Sequence, residues 1–427
     1  MKIKAVNLLI PLAGLYLVTS VHALESMNSV NALMRVFRLA TIPFLAFIVL
    51  TLLPRQSTSK IQRLIFLAVP PVALLLINVL QLFALPEENM TTHVTGSVKF
   101  VAWFGLYFAV LLSLNFSSVE KIKSSILTIL VAIFVFGILQ YPGVIAQSGA
   151  SLSTALSNYG QIGARYQLSG IFGSANEDAN GFVTLLPLAL LWVERRSGLK
   201  RKLLRWALLL YFPLILVFNG TRTALLVALP TVTMIFYLRL SLNQLLCIVG
   251  PAAGLGVALV SLSNSLVGRF FEAEAAGGGS FGWRIEHAWI PAISYTMSHS
   301  PIFGFGSRGW EFICYELGIL KADGSGIVPS HSGYVWTFVA WGIAGFLAYV
   351  AFLAILLTEA FKLSMSKRED VAIAGRAFLG SAVGYCFWAF ISNVMLPQGW
   401  LILISIATLI AAFKVSEMAH HYEVHGY

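Results

Sequence analysis

Arg222 is the first residue whose type and place could do chemistry. It lies in Phe218-Asn219-Gly220-Thr221-Arg222-Thr223-Ala224-Leu225-Leu226, where Asn-Gly interrupts one apolar run just before the next begins. An ionisable group at membrane depth is costly unless it meets a partner or a wet cavity, so such a residue is a functional candidate. Two readings fit it: a guanidinium snorkelling to lipid headgroups, or one at a helix start beside Thr221, Thr223 and free backbone N–H groups, a setting that suits a diphosphate. A second set lies in the polar stretch 264–331, where Arg269, Arg284 and Arg308 alternate with Phe281, Trp283, Trp289, Phe303, Phe305 and Trp310. Planar guanidinium groups hold two phosphate oxygens at once, and flat rings stack on sugars. The same rings also suit an aromatic belt at a membrane interface. Arg284, in Trp283-Arg284-Ile285-Glu286-His287-Ala288-Trp289, is the arginine to back for phosphate, with Arg308 and Trp289 as further substrate contacts and Glu286 and His287 as structural partners in that helix.

His331 closes the polar stretch in Val328-Pro329-Ser330-His331-Ser332-Gly333-Tyr334. A lone histidine there caps or packs; partly desolvated and neutral at working pH, it is also suited to take a proton from a hydroxyl. A third candidate segment runs from Arg165 to Asn180. It is rich in turn formers and polar groups, and Asn176 could cap the helix that follows or line a site through its side chain. Arg165 joins Asn176 as a possible substrate contact. Glu177 and Asp178 are possible acid/base groups, although adjacent carboxylates point in different directions. The chain has no Asp-x-Asp pair, Walker loop or nucleotide fingerprint. That argues against a nucleotide-sugar donor and against ATP-driven transport. Cys247, Cys314 and Cys386 are isolated, without CxxC or Cys/His spacing. The histidines at 22 and 93 are isolated and those at 420, 421 and 425 lie in a polar tail, so no metal site and no cofactor are read from the sequence.

The elements that must position these residues are membrane helices. Of 427 residues 58% are hydrophobic and 11% charged, whereas soluble domains carry roughly 45–50% apolar and about 25% charged residues. Mean hydropathy is +0.82. A span needs about 20 mostly apolar residues, and such runs occur near 5–24, 36–53, 64–84, 98–117, 125–141, 181–193, 206–219, 223–238, 245–263, 332–358, 372–393 and 399–413. Twelve spans in a single membrane domain, residues 1–427, are therefore expected. The first run follows Lys2 and Lys4 like a signal peptide, but its length and the absence of a small-residue cleavage site favour a retained span.

The net charge of +10 does not point to nucleic acid, because the basic residues sit in short blocks between apolar runs. Cytoplasmic loops collect Lys and Arg. Arg55, Lys60 and Arg63, then Lys121 and Lys123, the block from Arg195 to Arg205, Arg239, and Lys362 to Arg376 fall on alternate connections. Both termini then lie inside, and residues 142–180 and 264–331 form the two large outward loops. Arg35 and Arg38 fall in the first outward connection, which leaves the first two spans free to shift or lie partly in the interface. The stretch Ala275-Ala276-Gly277-Gly278-Gly279-Ser280 reads as a flexible linker.

These residues together resemble the O-antigen ligase and polymerase superfamily of bacterial envelope enzymes. That family carries a basic residue followed four positions on by leucine, matched by Arg222 and Leu226. A second motif reads His, then Asn, Ser or Gln, then Gly-x-x-Gly, often followed by Thr-x-x-Tyr; His331-Ser332, Gly342, Gly345 and Tyr349 match it, with Phe346 in place of the threonine. Gly170-Ile171-Phe172 and Asn176 are similar to a Gly-x-Phe…Asn pattern, with Ser174-Ala175 where Asn-Pro is commoner. The resemblance implies an all-α, polytopic, GT-C-like protein of about twelve transmembrane helices with a large periplasmic loop, in the bacterial inner membrane. It implies a metal-independent, inverting glycosyltransferase that moves a glycan from undecaprenyl diphosphate to a sugar hydroxyl at the periplasmic face. The acceptor would be lipid A core for an O-antigen ligase, or another lipid-linked glycan for a polymerase. Arg222 and Arg284 would bind the diphosphate and His331 would act as base. A flippase for lipid-linked glycan is the rival from another class, since cationic cavities and broken spans also suit transport; no internal symmetry of two halves is evident. A structural or assembly protein whose arginines meet only lipid headgroups is a third reading.

Overall fold

A computed structural model of the chain describes residues 58–84, 87–114, 119–148, 175–194, 198–219, 280–320, 326–392 and 397–425. The expected spans near 5–24, 36–53, 223–238 and 245–263 lie outside the described residues, as do Arg165 and Arg222. The rest is helical: α1 (Thr58–Ala84), α2 (Glu87–Ser113), α3 (Val119–Ser148), α4 (Ala175–Glu194), α5 (Gly198–Asn219), α6 (Ser280–Arg284), a π-helical turn (Ile285–Trp289), α7 (Ile290–His299), α8 (Gly309–Glu316), α9 (Gly333–Ser364), α10 (Glu369–Ile391) and α11 (Pro397–His425). Among the described residues there is no strand beyond one isolated bridge between Leu320 and Ile327. Of the twelve expected spans four lie outside the described residues; among the described residues five helices are long and apolar enough to cross a membrane: Ile65–Phe83, Val119–Leu139, Gly333–Ser364, Glu369–Ile391 and Gly399–Met418. Trp103–Ser113 and Ala179–Glu194 are shorter apolar helices.

Helices are the only open-ended way to hide backbone polar groups from lipid, because each N–H finds its partner within the segment. α10 packs against α9 and α4, and α11 packs against α3, α2 and α10; of the candidate spans among the described residues α11 is the most deeply buried. The buried face of α10 is lined by small residues, among them Ala374, Gly375, Ala377, Gly380, Ser381 and Gly384. Small residues let helix backbones approach closely where no hydrophobic drive between helices exists. At Gly375 an added Cβ would stand 2.2 Å from the Ser364 nitrogen.

α9 is broken. Gly342 has φ +63° and ψ −164°, a conformation that is essentially glycine's alone. The break severs the two helical bonds that would join Ile343 N–H to Val339 and Ala344 N–H to Ala340. The turn at residues 301–306 replaces both. Ile343 N–H donates to the Pro301 carbonyl (2.8 Å) and Ala344 N–H to Ile302 (3.2 Å), while the Val339 and Ala340 carbonyls accept from Phe305 N–H (2.9 Å) and Gly306 N–H (2.8 Å). All four freed backbone groups are thus paired, as burial requires. Gln81 of α1 adds a bond from its amide nitrogen to the Ala340 carbonyl at 2.6 Å and a second to Phe303.

His93 is tied into the same seat. Its Nδ1 accepts from Ser307 N–H at 3.1 Å, and the Ser307 hydroxyl donates to the His93 carbonyl at 3.1 Å. A backbone N–H can only donate, so Nδ1 is bare and Nε2 carries the proton, which it gives to the Asn78 carbonyl at 3.0 Å. His93, isolated in the sequence, is a neutral cross-brace between α1, α2 and the 301–307 segment.

Candidate functional site

The last residues before α9 form a short extended approach. Ser332 is the N-cap, with φ −151° and its hydroxyl accepting from Val335 N–H at 3.4 Å. One residue earlier, His331 has φ +48° and is the one non-glycine among the described residues with positive φ. Histidine visits this left-handed region more readily than most residues, yet holding it there costs on the order of 1–2 kcal/mol. Strain of this kind persists where the surroundings fix it, and it gathers at functional sites.

The fixing contact comes from the helix that carries Arg284. Trp289, at the end of the π-helical turn, is buried, and its indole N–H donates to the Ser330 carbonyl at 2.6 Å. Ser330 is itself fully buried. A π-turn widens the helix by one residue and shifts the phase of the side chains that follow; here it falls between Arg284 and Trp289, the two residues of this helix that act on the His331 segment. Trp289 also meets Phe390 of α10 edge to face, ring centroids 6.4 Å apart. The peptide before His331 is therefore anchored to Trp289, which itself packs on α10.

Arg284 completes the group. Burial, and after it the positive charge of Arg284, hold the half-buried His331 imidazole down at about 4. The ring is then neutral at pH 7, with a nitrogen lone pair available to a proton, and Arg284 is near enough for its charge to act on it. A cation, a neutral imidazole and a rigid backbone are thereby gathered at the start of α9.

The other candidates divide. Arg308 is exposed and pairs with Glu311 at 3.3 Å. Asn176 stands in the first turn of α4. Next to it Glu177 is buried, accepting from the Trp388 indole N–H (2.8 Å) and the Ser392 hydroxyl (2.6 Å) at the end of α10. This carboxylate joins the first turn of α4 to the last turn of α10, the same end of α10 that carries Phe390. Trp310 is buried with its N–H on the Val328 carbonyl at 2.8 Å. Trp283 retains an open face, while its other face stacks on His287 at 5.5 Å. Among the described residues no cluster of His, Cys, Asp and Glu could hold a metal ion.

The two glycines after His331 are explained by the broken helix. A Cβ at Gly342 would stand 2.3 Å from the Ile302 carbonyl oxygen, and one at Gly345 would stand 2.1 Å from the Trp341 Cβ. Histidine, strained turn, broken helix and inserted loop thus form one continuous construction.

Residues 206–350 match a family model described as O-antigen ligase. The O-antigen ligase and polymerase superfamily is supported on the stretch that holds Arg222, Arg284, Trp289, Arg308, His331, Gly342 and Gly345, about a third of the chain. Arg165 and Asn176 lie outside it. No curated protein compared with the chain matches it. The O-antigen ligase match, with the apolar helices, supports a multi-pass membrane protein and an enzyme of the ligase or polymerase type, a family whose substrates are lipid-linked glycans in general.

Proposed function

We propose that the chain is an O-antigen ligase, transferring O-antigen from undecaprenyl diphosphate to a sugar hydroxyl of lipid A core at the periplasmic face of the inner membrane. The observation that carries the reading is the electrostatic coupling of Arg284 to a neutral His331 whose backbone is pinned in a strained turn. In the reaction His331 removes the proton from the acceptor hydroxyl as that oxygen attacks the anomeric carbon. The bond from that carbon to the diphosphate oxygen breaks, and the undecaprenyl diphosphate leaves. One displacement inverts the anomeric centre. Charge grows on the leaving group, where a guanidinium is worth most in a site shielded from water. Arg284 and Arg222 are assigned to that charge, with Arg165, Asn176 and Arg308 around the glycans; Trp289, expected as a further substrate contact, is instead buried and holds the peptide before His331. No metal is needed, since the arginines supply the countercharge.

The coupling also gives an order to events. Arg284 lowers the basicity of His331 while the site is empty of anion. A diphosphate on Arg284 offsets that charge and raises the basicity of His331 when the donor is in place.

Phe346, where threonine is expected, weakens the ligase branch and keeps polymerisation as the second reading, with another lipid-linked repeat as acceptor. Supplying lipid A core and a lipid-linked repeat together to the purified protein separates the two by which one grows. Replacement of Arg222 or His331 by alanine, with membrane levels checked, tests the chemistry: loss of transfer from purified lipid donor supports it, and near-normal transfer contradicts it. Donor binding and movement without any covalent product would instead favour a flippase.

A further inference from the structure

The exposed apolar side of α9 begins at its break. Residues 333–342 include no exposed position, whereas Ile343, Leu347, Val350, Ala354, Thr358 and Phe361 are exposed at helical spacing down to the basic last turn at Lys362. Counting from that basic turn, Gly342 to Phe361 is 20 residues, which at about 1.5 Å per residue spans about 30 Å, the thickness of the hydrocarbon layer. The part of α9 ahead of Gly342 is therefore surplus to the crossing. The break sits at the edge of the hydrocarbon.

Ile302 lies at that edge. It is 58% exposed, and its carbonyl accepts from Ala344 N–H at 3.2 Å, which puts its backbone beside the first exposed residues of the stripe, Ile343 and Leu347. The turn that bears it cannot back away. Gly304 has φ +67°, and a Cβ there would stand 2.5 Å from the Val339 carbonyl oxygen. Irregular backbone at the margin of a membrane is tolerated where its polar groups are paired internally, and the exchange of bonds with α9 pairs the Pro301 and Ile302 carbonyls and the Phe305 and Gly306 N–H groups of this turn. We propose that the 301–306 turn is a membrane-seated hook, with the Ile302 side chain in contact with lipid acyl chains at the boundary opposite the basic end of α9. The hook continues the lipid face of α9 and fixes the segment from Ser280 to His299 at the bilayer surface. It does not depend on the reaction catalysed.

The test places a nitroxide at Ile302→Cys, Leu347→Cys and Glu316→Cys, with Cys247, Cys314 and Cys386 replaced by alanine, in phosphatidylethanolamine and phosphatidylglycerol vesicles. Collision with oxygen and with a water-soluble nickel chelate reports apolar and aqueous surroundings respectively. The expected oxygen-to-nickel ratio at residue 302 matches that at residue 347 and is several-fold above that at residue 316. A ratio at residue 302 equal to that at 316 overturns the hook. The unaltered chain, irradiated in vesicles of a phospholipid with a diazirine on its acyl chain, provides the measurement free of substitutions: adducts on the 301–306 peptide support it, and adducts confined to the helices contradict it.

Discussion

The Trp289 indole N–H meets the Ser330 carbonyl at 2.6 Å, one peptide ahead of the left-handed His331. This bond joins the arginine-bearing helix to the residue assigned as base. Trp289→Phe keeps a ring in place but leaves the buried carbonyl unpaired, a loss of about 1–3 kcal/mol. The turn then relaxes, and kcat for glycan transfer is expected to fall about tenfold or more. KM for the lipid donor stays near the wild-type value. Initial rates over a range of donor concentrations check the split; a change in KM alone would make Trp289 a binding residue.

The pH profile follows from the lowered His331 ionisation. The free enzyme keeps its base neutral down to about 4, so the acid limb of kcat/KM is expected near that value. Donor bound on Arg284 raises the basicity of His331, so the acid limb of kcat lies at higher pH than that of kcat/KM. In Arg284→Gln the positive charge is gone, and the acid limb of the residual kcat/KM moves upward in pH. A folded-state ionisation below the ordinary histidine value also contributes stability that is present above about 6.5 and is lost as pH falls toward about 4.

Gly342→Ala is expected to cost about 3 kcal/mol or more, since a left-handed strained conformation and a backbone collision combine. The added Cβ would meet the Ile302 carbonyl at 2.3 Å. Thermal unfolding in detergent, followed by tryptophan fluorescence, checks it.

Gln81→Leu removes a donor from the Phe303 carbonyl and the second donor from the Ala340 carbonyl, which keeps its bond from Gly306 N–H. A loss of about 1–3 kcal/mol follows. Hydrogen exchange should rise at Phe305 and Gly306 before it rises in α10.

Membrane helices were legible because apolar runs of sufficient length have few alternatives, and the runs near 64–84, 332–358, 372–393 and 399–413 correspond to α1, α9, α10 and α11. The run near 332–358 was read as one uniform span. The break in it was hidden because the pairing turn comes 36 to 41 residues earlier, and hydropathy carries no record of distant backbone bonds. Gly342 is the local signal that could have revealed it. His331 and Arg284 stood out by type and position. The roles of Trp289 and His93 did not, because a tryptophan on a carbonyl and a histidine between two backbone groups leave no spacing to read. The buried Glu177 shows the same limit: its partners, Trp388 and Ser392, lie more than two hundred residues away.

The central claim is that His331 takes the proton of the acceptor hydroxyl. Asparagine tolerates the left-handed backbone at position 331 as well as histidine does, but it offers no basic nitrogen. The direct measurement is single-turnover glycan transfer from purified undecaprenyl diphosphate donor to lipid A core by His331→Asn in vesicles, at matched protein level and with donor binding measured alongside. The expected result is unchanged donor binding with a rate lowered about 10²–10⁴-fold; a rate within a few-fold of the unaltered protein would contradict it.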